Sequence, residues 1–278
     1  MAINISAGHP GIILPDDVGA LVVQPVDRLS VAAQISTLIA TASPTFRVPL
    51  VTEDVAAGWF AEGAEITEQD PGTDELVITP RKIAALTVIS NELANDSSPA
   101  AQEVVGRSIA RDIARKLDQA YFGSEVGEAP PGIEDVVGVG TVAAGAAWSD
   151  LDPFSEAIYA SDAEGREISA FITSYSDALV LAQLRDQTDS NRPLLGDPIE
   201  GTRRQVLGVP LFVAPTIPTG TVWGIPRDVA MVVRRTDVNL VVDRSRYFER
   251  DSVGIRATMR VAFGFPHAAA LQRISLTA

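Results

Sequence analysis

The sequence contains no cysteine, two histidines and two lysines among its 278 residues. Without cysteine the chain can form no disulfide framework, no thiolate nucleophile and no cysteine-based metal site. Neither His9 nor His267 belongs to a metal-ligand pattern such as H-E-x-x-H. His267 follows Pro266 in an apolar stretch, which favours a packed structural role. We therefore expect no catalytic residue, no cofactor and no metal ion.

Long hydrophobic runs are also missing. No apolar run approaches the ~20 residues that a membrane-spanning helix needs, and no basic segment followed by an apolar one marks a signal peptide. We therefore expect a soluble, cytoplasmically made product with no membrane partner.

Basic residues number 22 against 36 acidic ones, a formal charge of −14. This excess of acidic residues argues against a protein whose main role is to bind nucleic acid, because such a protein presents a basic surface. It does not argue against the wall of a container that encloses nucleic acid without binding it tightly.

The strongest local pattern runs from Ser98 to Gly123. Ser98 is a good N-cap, Pro99 suits the first helical position, and Gly123 suits the residue after the last turn. Apolar residues recur every fourth position, which predicts one buried face: Val105, Ile109, Ile113, Leu117 and Tyr121. The pattern predicts a helix over Pro99–Phe122, ~36 Å long at 1.5 Å per residue.

A basic stripe, Arg107, Arg111 and Arg115, lies on the polar side of this predicted helix. A solvated face is the simplest interpretation. Two other interpretations of the stripe stay open. It is also suited to contacting phosphates inside a container, and it is suited to binding a projecting segment of a neighbouring copy.

Strand-like sequence precedes the helix. Two arms, around Arg47–Ala56 and Glu75–Ser90, flank a tip rich in glycine, proline and acids, which predicts a long β-hairpin. An isolated two-stranded ribbon is marginally stable in water, so such a projection calls for a partner subunit. The candidate contact residues are the aromatic and acidic ones near the tip. They are Trp59, Phe60, Glu62, Glu65, Glu68 and Asp70.

The rest of the chain divides into three kinds of sequence. Residues 1–25 mix glycine, proline and short apolar runs, which indicates an arm that needs another surface to lie on. Residues 141–225 read as an α/β region, with a strand at Ser169–Thr173 followed by a helix at Ser174–Asp186. The tail is strongly β, ending in predicted strands Val253–Val261 and His267–Ile274, and should form an antiparallel sheet on the long helix.

Several strings, in this order, resemble the HK97-type major capsid proteins of tailed bacteriophages. Trp59–Gly63 resembles a W-x-x-E-G in the hairpin, and Ser90–Ser97 resembles S-x-E-L-x-x-D-S ahead of the helix. Leu117–Gly123 and Pro131–Ile133 resemble L-D-x-A-x-x-x-G and P-x-G-I, and Phe263–Ala268 is similar to the family's closing strand. Together they cover most of residues 45–275.

The resemblance implies an α+β, HK97-like capsid fold. Its parts are an N-terminal arm (1–44), an E-loop hairpin (45–85), a P domain with spine helix and antiparallel sheet (86–130 and 228–264), and an inserted α/β A domain (131–227) with the C-terminal strand (265–278). It further implies a shell of pentamers and hexamers around double-stranded DNA, contacted non-specifically. Assembly would take place in the host bacterial cytoplasm.

The resemblance also implies partners other than copies of the chain. They are a portal and a scaffolding protein, and a decoration protein in some relatives. No long charged helical segment precedes the arm, so a separate scaffolding protein is expected rather than a fused one, unless the chain is already processed.

Some members of the family cross-link neighbours through a lysine in the E-loop. Residues 52–81 contain no lysine, since the two lysines are Lys82 and Lys116. We therefore predict that no isopeptide bond forms between subunits. Boiled particles should run as a single monomer band on an SDS gel, and a ladder above that band would contradict this prediction.

The sequence leaves two alternatives open. An encapsulin-type nanocompartment shares the fold but carries protein cargo, so nucleic acid in purified particles would distinguish the capsid from it. A soluble hydrolase using paired carboxylates belongs to a different class. It predicts a monomer or small oligomer on size-exclusion chromatography, whereas a shell elutes in the void volume.

Overall fold

A computed structural model describes residues 24–53, 59–60, 62–63, 72–90, 99–124, 126–187, 192–195, 204–243 and 245–277 of the chain. The helices in it are α1 (Gln24–Leu29), α2 (Val31–Ile35), α3 (Pro99–Phe122), α4 (Asp152–Ala163) and α5 (Tyr175–Gln183). The strands before the α/β region are β1 (Thr37–Ala40), β2 (Phe46–Glu53), β3 (Gly72–Ile78) and β4 (Arg81–Ser90). The later strands are β5 (Gly140–Ala143), β6 (Ala170–Thr173), β7 (Gln205–Val206), β8 (Val209–Val213), β9 (Thr221–Ile225), β10 (Met231–Asp243), β11 (Ser252–Gly264) and β12 (Gln272–Ser275).

The predicted long helix is confirmed as α3, over Pro99–Phe122. Four of the five predicted core positions, Ile109, Ile113, Leu117 and Tyr121, are at most 7% exposed. The side chain of the fifth, Val105, and the predicted cap Ser98 lie outside the described residues. The 3.6-residue repeat was therefore sufficient to identify the buried face.

A four-stranded sheet packs on α3, in the order β1-β10-β11-β4. β10, β11 and β4 are antiparallel neighbours, and β1 pairs with β10 in parallel. Alternate residues of β11, such as Ile255 and Ala257, are buried against the helix, whereas Arg256 and Arg260 on the other face are exposed. The prediction of an antiparallel sheet on this helix is thereby confirmed, with β1 as a parallel addition at one edge.

Residues 24–40, which the sequence placed within the arm, are part of the folded body. Val26, Ala32 and Ile35 are at most 2% exposed and join the core beneath α3. On α1, Asp27 Oδ2 accepts a hydrogen bond from Arg234 Nη1 of β10 at 3.2 Å. Residues 1–23 of the predicted arm lie outside the described residues.

The hairpin is shorter than the sequence suggested. β2 and β3 form a separate two-stranded antiparallel ladder, from Phe46 opposite Ile78 to Glu53 opposite Gly72. The predicted second arm, Glu75–Ser90, is two strands, because β4 pairs with β11 along its whole length. Pro80 lies between them and lacks the N–H that a continuous ladder requires.

A six-stranded mixed sheet forms the second half of the molecule, in the order β5-β12-β9-β6-β8-β7. The predicted β6–α5 unit is confirmed there, with Leu181 of α5 fully buried. The predicted strand His267–Ile274 is wrong in its first half. Residues Ala268–Ala270 form a 3-10 turn, closed by Leu271 N–H donating to the Ala268 carbonyl at 3.1 Å, before β12 begins. Three consecutive alanines suit a helical turn better than a strand.

Candidate assembly surfaces

The base of the β2–β3 hairpin is fixed to the four-stranded sheet by a small apolar cluster. Ile78 of β3, Val233 of β10 and Ala262 of β11 are at most 3% exposed and form its centre. Gly264 permits this close approach, since a Cβ there would lie 2.2 Å from Ile78 Cδ1. The hairpin is therefore anchored at its base by packing.

We predict that Gly264→Ala destabilises the protein by about 1–3 kcal/mol, since the added methyl group overpacks a buried site. Ile78→Val removes the atom that the new Cβ would meet, so the double variant Ile78→Val/Gly264→Ala should recover part of the loss. Urea denaturation of both variants and of Ile78→Val alone measures this. Equal stability of Gly264→Ala and the parent chain would show that the contact is not tight.

The tip of the hairpin carries exposed aromatic residues. Trp59 is 105% exposed and therefore contacts essentially nothing else in the part of the chain that the structure describes, and Phe60 is 47% exposed. Glu62 is also exposed, and Gly63 beside it has a φ of +83° that favours glycine. The other predicted contact residues, Glu65, Glu68 and Asp70, lie outside the described residues. The described tip thus presents an unpartnered apolar surface next to acidic sequence.

The basic stripe on α3 is solvent-exposed at all three predicted positions, Arg107, Arg111 and Arg115. Arg115 donates to Asp112 Oδ1 at 2.6 Å, an exposed pair one turn apart of the kind worth at most about 1 kcal/mol. Among the described residues, the structure does not bring the stripe into contact with Trp59, which keeps its full exposed surface.

A further exposed apolar surface lies on the outer face of the four-stranded sheet. Leu86 and Val88 of β4 are 61% and 44% exposed, and Val241 of β10 is 38% exposed. The register places Val241, Arg256 and Leu86 in one row across the three strands. The sequence reasoning missed this surface, although the apolar residues at both alternate positions of Arg81–Ser90 were a signal for it.

One buried carboxylate ties the N-terminal helices to α3. Asp118 of α3 is 5% exposed and accepts hydrogen bonds from Ser30 Oγ at 2.7 Å, from Val31 N–H at 3.1 Å and from Ala32 N–H at 3.0 Å. Two of these donors are amides in the first turn of α2, which no intrahelical carbonyl can satisfy. Burial raises the pKa of the Asp118 carboxyl above its usual value, because the effect of desolvation is larger than the lowering effect of these hydrogen bonds.

This raised pKa predicts a pH dependence. The native state holds the Asp118 proton to higher pH than the unfolded state, so the stability it contributes is present at low pH and is lost as pH rises through the native pKa. The stability of the parent chain relative to Asp118→Asn should therefore fall from about pH 3.5 towards neutrality. Urea denaturation at several pH values measures this, with the exposed Glu134→Gln as control. A relative stability that rises with pH would contradict the prediction.

No group of three or more histidine, aspartate or glutamate side chains among the described residues could hold a metal ion. No helix in the described part of the chain is long and apolar enough to cross a bilayer. His267 Nε2 lies 3.2 Å from Glu164 Oε2 at a partly exposed position. Asp177, which is 2% exposed, is engaged by Trp148 Nε1 at 3.0 Å and by Ser174 Oγ at 2.7 Å, which gives it a structural role.

Comparison with known families identifies the class of protein. The sequence matches the Phage capsid family over residues 11–276. The chain therefore belongs to the phage capsid family, and its place is the virion capsid. A comparison with curated proteins gave no significant match.

Solved structures show the same fold. The capsid of the native GTA particle, computed with C5 symmetry, superimposes with a TM-score of 0.75 at 20% identity, covering 100% of this chain and 96% of that one. A protein of Microbacterium phage Oxtober96 gives a TM-score of 0.72 at 18% identity, covering 89% of this chain and 91% of that one. A protein of Mycobacterium phage Bobi gives 0.69 at 18% identity, with 90% and 91% covered. The predicted HK97-like fold is thereby confirmed.

Proposed function

We propose that this chain is a major capsid protein that assembles into pentamers and hexamers of an icosahedral shell around double-stranded DNA. Assembly would take place in the host cytoplasm, with a separate scaffolding protein and a portal as further partners. The structural role itself follows from the family. The oligomers, the enclosed DNA and the further partners are the proposal.

The observation that carries the proposal is the exposed tip of the hairpin. The β2–β3 ladder is a two-stranded sheet of its own, anchored at the base, and Trp59, in the segment that joins its two strands, is fully exposed among the described residues. An isolated two-stranded ribbon of this kind is only marginally stable in water. Large aromatic side chains that are exposed in a single subunit are typical of protein interfaces. The outer face around Leu86 and Val88 supplies a second exposed apolar surface. Both are expected of a subunit whose interfaces are completed by copies of itself.

We propose further that the chain has no enzymatic activity. The titratable groups that are deeply buried among the described residues, such as Asp118, Asp177 and Tyr121, each take part in hydrogen bonds that join structural elements. Such contacts hold a fold together and leave these groups no position from which to act on a substrate.

Size-exclusion chromatography of the purified chain tests the proposal. A shell elutes in the void volume, and the absorbance ratio of that fraction reports whether it contains nucleic acid. A compact monomer at high concentration would overturn the proposal of self-assembly. Particles that form in the phage-infected host but contain protein cargo and no DNA would favour the nanocompartment instead.

A pair of variants tests the hairpin tip. Trp59→Ser/Phe60→Ser should reduce the particle fraction strongly while changing the thermal unfolding of the subunit only slightly, because Trp59 is fully exposed and Phe60 is about half exposed. The matched control is Val126→Ser/Val137→Ser, which alters two other exposed apolar side chains, 76% and 92% exposed. An equal loss of particles in both double variants would indicate a non-specific effect of surface polarity.

A further inference from the structure

The exposed surface of the long helix α3 is made of polar side chains. From Gly106 to Phe122, where the side chains of α3 are described, the exposed residues are Arg107, Ser108, Arg111, Arg115, Lys116 and Gln119. Lys116 therefore extends the basic stripe by one residue, and its Nζ donates to Gln119 Oε1 at 3.3 Å. We call Arg107, Arg111, Arg115 and Lys116 the basic face of α3. Among the described side chains of the helix, no exposed residue on this surface is apolar.

The acidic residues near the basic face are too few to neutralise it. On α3 itself, Asp112 is half-buried and pairs with Arg115 at 2.6 Å, and Asp118 is turned towards α2. Glu103 precedes Arg107 by one turn, but its side chain lies outside the described residues. The segments that flank α3 carry charges of both signs, which are Arg28 of α1, Arg81 and Lys82 of β4, and Glu128 and Glu134 after the helix. Basic residues therefore outnumber acidic ones here, whereas the whole chain has a formal charge of −14.

The basic face and the exposed apolar residues of the four-stranded sheet lie on opposite sides of that sheet. Alternate residues of a strand point to opposite faces. On β11, Ala257 and Met259 belong to the core beneath α3, whereas Ala262 packs against the base of the hairpin. The exposed Leu86 and Val88 are on the hairpin side. Because the cores of protein interfaces are depleted in charged residues, the hairpin side is suited to contacts between copies and the α3 side is not.

A polyanion with regularly spaced phosphates suits the basic face. Residues four apart on an α-helix are ~6 Å apart along its axis, so Arg107, Arg111 and Arg115 form a row ~12 Å long. The phosphates of one DNA strand rise ~3.4 Å per nucleotide along the duplex axis, so a row of this length spans roughly three to four phosphates. Arginine, lysine and serine commonly contact phosphates without reading the base sequence. Ser108, which is exposed on the same surface, adds such a hydroxyl.

We propose that the basic face of α3 lines the inside of the shell and contacts the phosphates of the enclosed double-stranded DNA. The inference rests on the proposed function, because the enclosed DNA is the partner. Arg111 and Lys116 bind phosphate directly, and Arg115 does so while it remains paired with Asp112, since a guanidinium has five N–H donors. The acidic remainder of the chain repels DNA, so the contact is loose and independent of base sequence.

The absence of native cysteine allows a direct test by photo-cross-linking. Ser108→Cys places one thiol within the basic face, where an aryl azide can be attached. Irradiation of purified, DNA-containing particles should give a protein–DNA adduct that nuclease digestion shortens. The matched control is Asn239→Cys, an exposed position on the outer face of the sheet, beside the part of β11 that carries Arg256 and Arg260. It should give no such adduct, although its surroundings are also basic.

Each result of this cross-linking experiment has a defined meaning. A protein dimer in place of the DNA adduct would mean that the basic face binds a neighbouring copy, and the absence of any adduct would mean that it is a solvated surface. DNA adducts of equal yield from both positions would mean that DNA reaches both sides of the sheet. Each of these three outcomes overturns the proposal.

A pair of charge variants tests the contact in the unassembled chain, with a short duplex DNA as ligand. Four phosphate contacts predict that the logarithm of the binding constant falls with the logarithm of salt concentration with a slope of about −3.6, and Arg111→Gln/Lys116→Gln should change that slope to about −1.8. The control Arg256→Gln/Arg260→Gln removes the same charge from the outer face and should leave the slope unchanged. An unchanged slope in the first variant, or an equal change in both, would overturn the assignment of this face.

The inference and the proposed function fail separately. Size-exclusion chromatography and the absorbance ratio decide whether the chain forms a shell with nucleic acid, whatever α3 contacts. The salt dependence of duplex binding by the unassembled chain decides whether the basic face contacts phosphates, and it needs no shell. Particles that contain DNA but give no adduct with Ser108→Cys would leave the proposed function intact and refute this role of α3.

Discussion

Replacing Asp118 by alanine is expected to lower the free energy of unfolding by about 3 kcal/mol. The reason is the set of groups left behind. Val31 N–H, Ala32 N–H and the Ser30 hydroxyl would lose the acceptor they share, in surroundings where Ser30 and Ala32 are fully buried. A buried donor without an acceptor costs more than the hydrogen bond was worth. The helix α2 should detach first, because its first-turn amides have no other partner within the helix.

Urea denaturation of Asp118→Ala against Gln119→Ala measures this difference. Gln119 is exposed on the same helix, so its replacement should change stability by less than about 0.5 kcal/mol. Hydrogen exchange of the α2 amides adds a local readout, with faster exchange expected there before it changes in α3. Equal stability of the two variants would show that water replaces the lost carboxylate and that the link between α2 and α3 is weak.

How far the sequence predicts this fold depends on whether the signal is local. The helix over Pro99–Phe122 was predictable because its capping residues and its 3.6-residue apolar repeat both lie within one continuous stretch of sequence. The two faces of β11 were predictable for the same reason, since alternation has a period of two. In both elements the tertiary structure agrees with the local preference.

The contacts that join distant elements were not predictable in this way. The partners of Asp118 lie 86 to 88 residues away in sequence, and nothing near Leu117–Asp118 marks that aspartate as buried. The break between β3 and β4 was signalled by Pro80, but the choice of β11 as the partner of β4 depends on chain topology. The exposed aromatics at the hairpin tip were named from sequence, whereas their exposure is a property of the fold. For this chain the order of the structural elements was predicted from the resemblance to a family. The residues at which those elements begin and end depend on tertiary packing.

Tyr121→Ala is expected to destabilise the protein by about 3–5 kcal/mol, because it empties a fully buried aromatic site. The Tyr121 ring packs edge-to-face with Phe122, Phe263 and Phe265 at centroid distances of 4.9, 5.1 and 5.4 Å. Its hydroxyl accepts a hydrogen bond from Ser36 Oγ at 2.8 Å, so one side chain links α3, β11 and the segment before β1.

Two further variants separate the contributions of the ring and the hydroxyl. Tyr121→Phe keeps the ring and leaves the buried Ser36 hydroxyl without its acceptor, which should cost about 1–2 kcal/mol. Tyr159→Ala removes a tyrosine that is 74% exposed and should have little effect. Thermal and urea unfolding of the three variants should rank them Tyr121→Ala, Tyr121→Phe and Tyr159→Ala in order of decreasing loss. If Tyr121→Ala were no worse than Tyr159→Ala, the core between the long helix and its sheet would have to be loose enough to collapse around the missing ring, and the close packing described for this interface would be wrong.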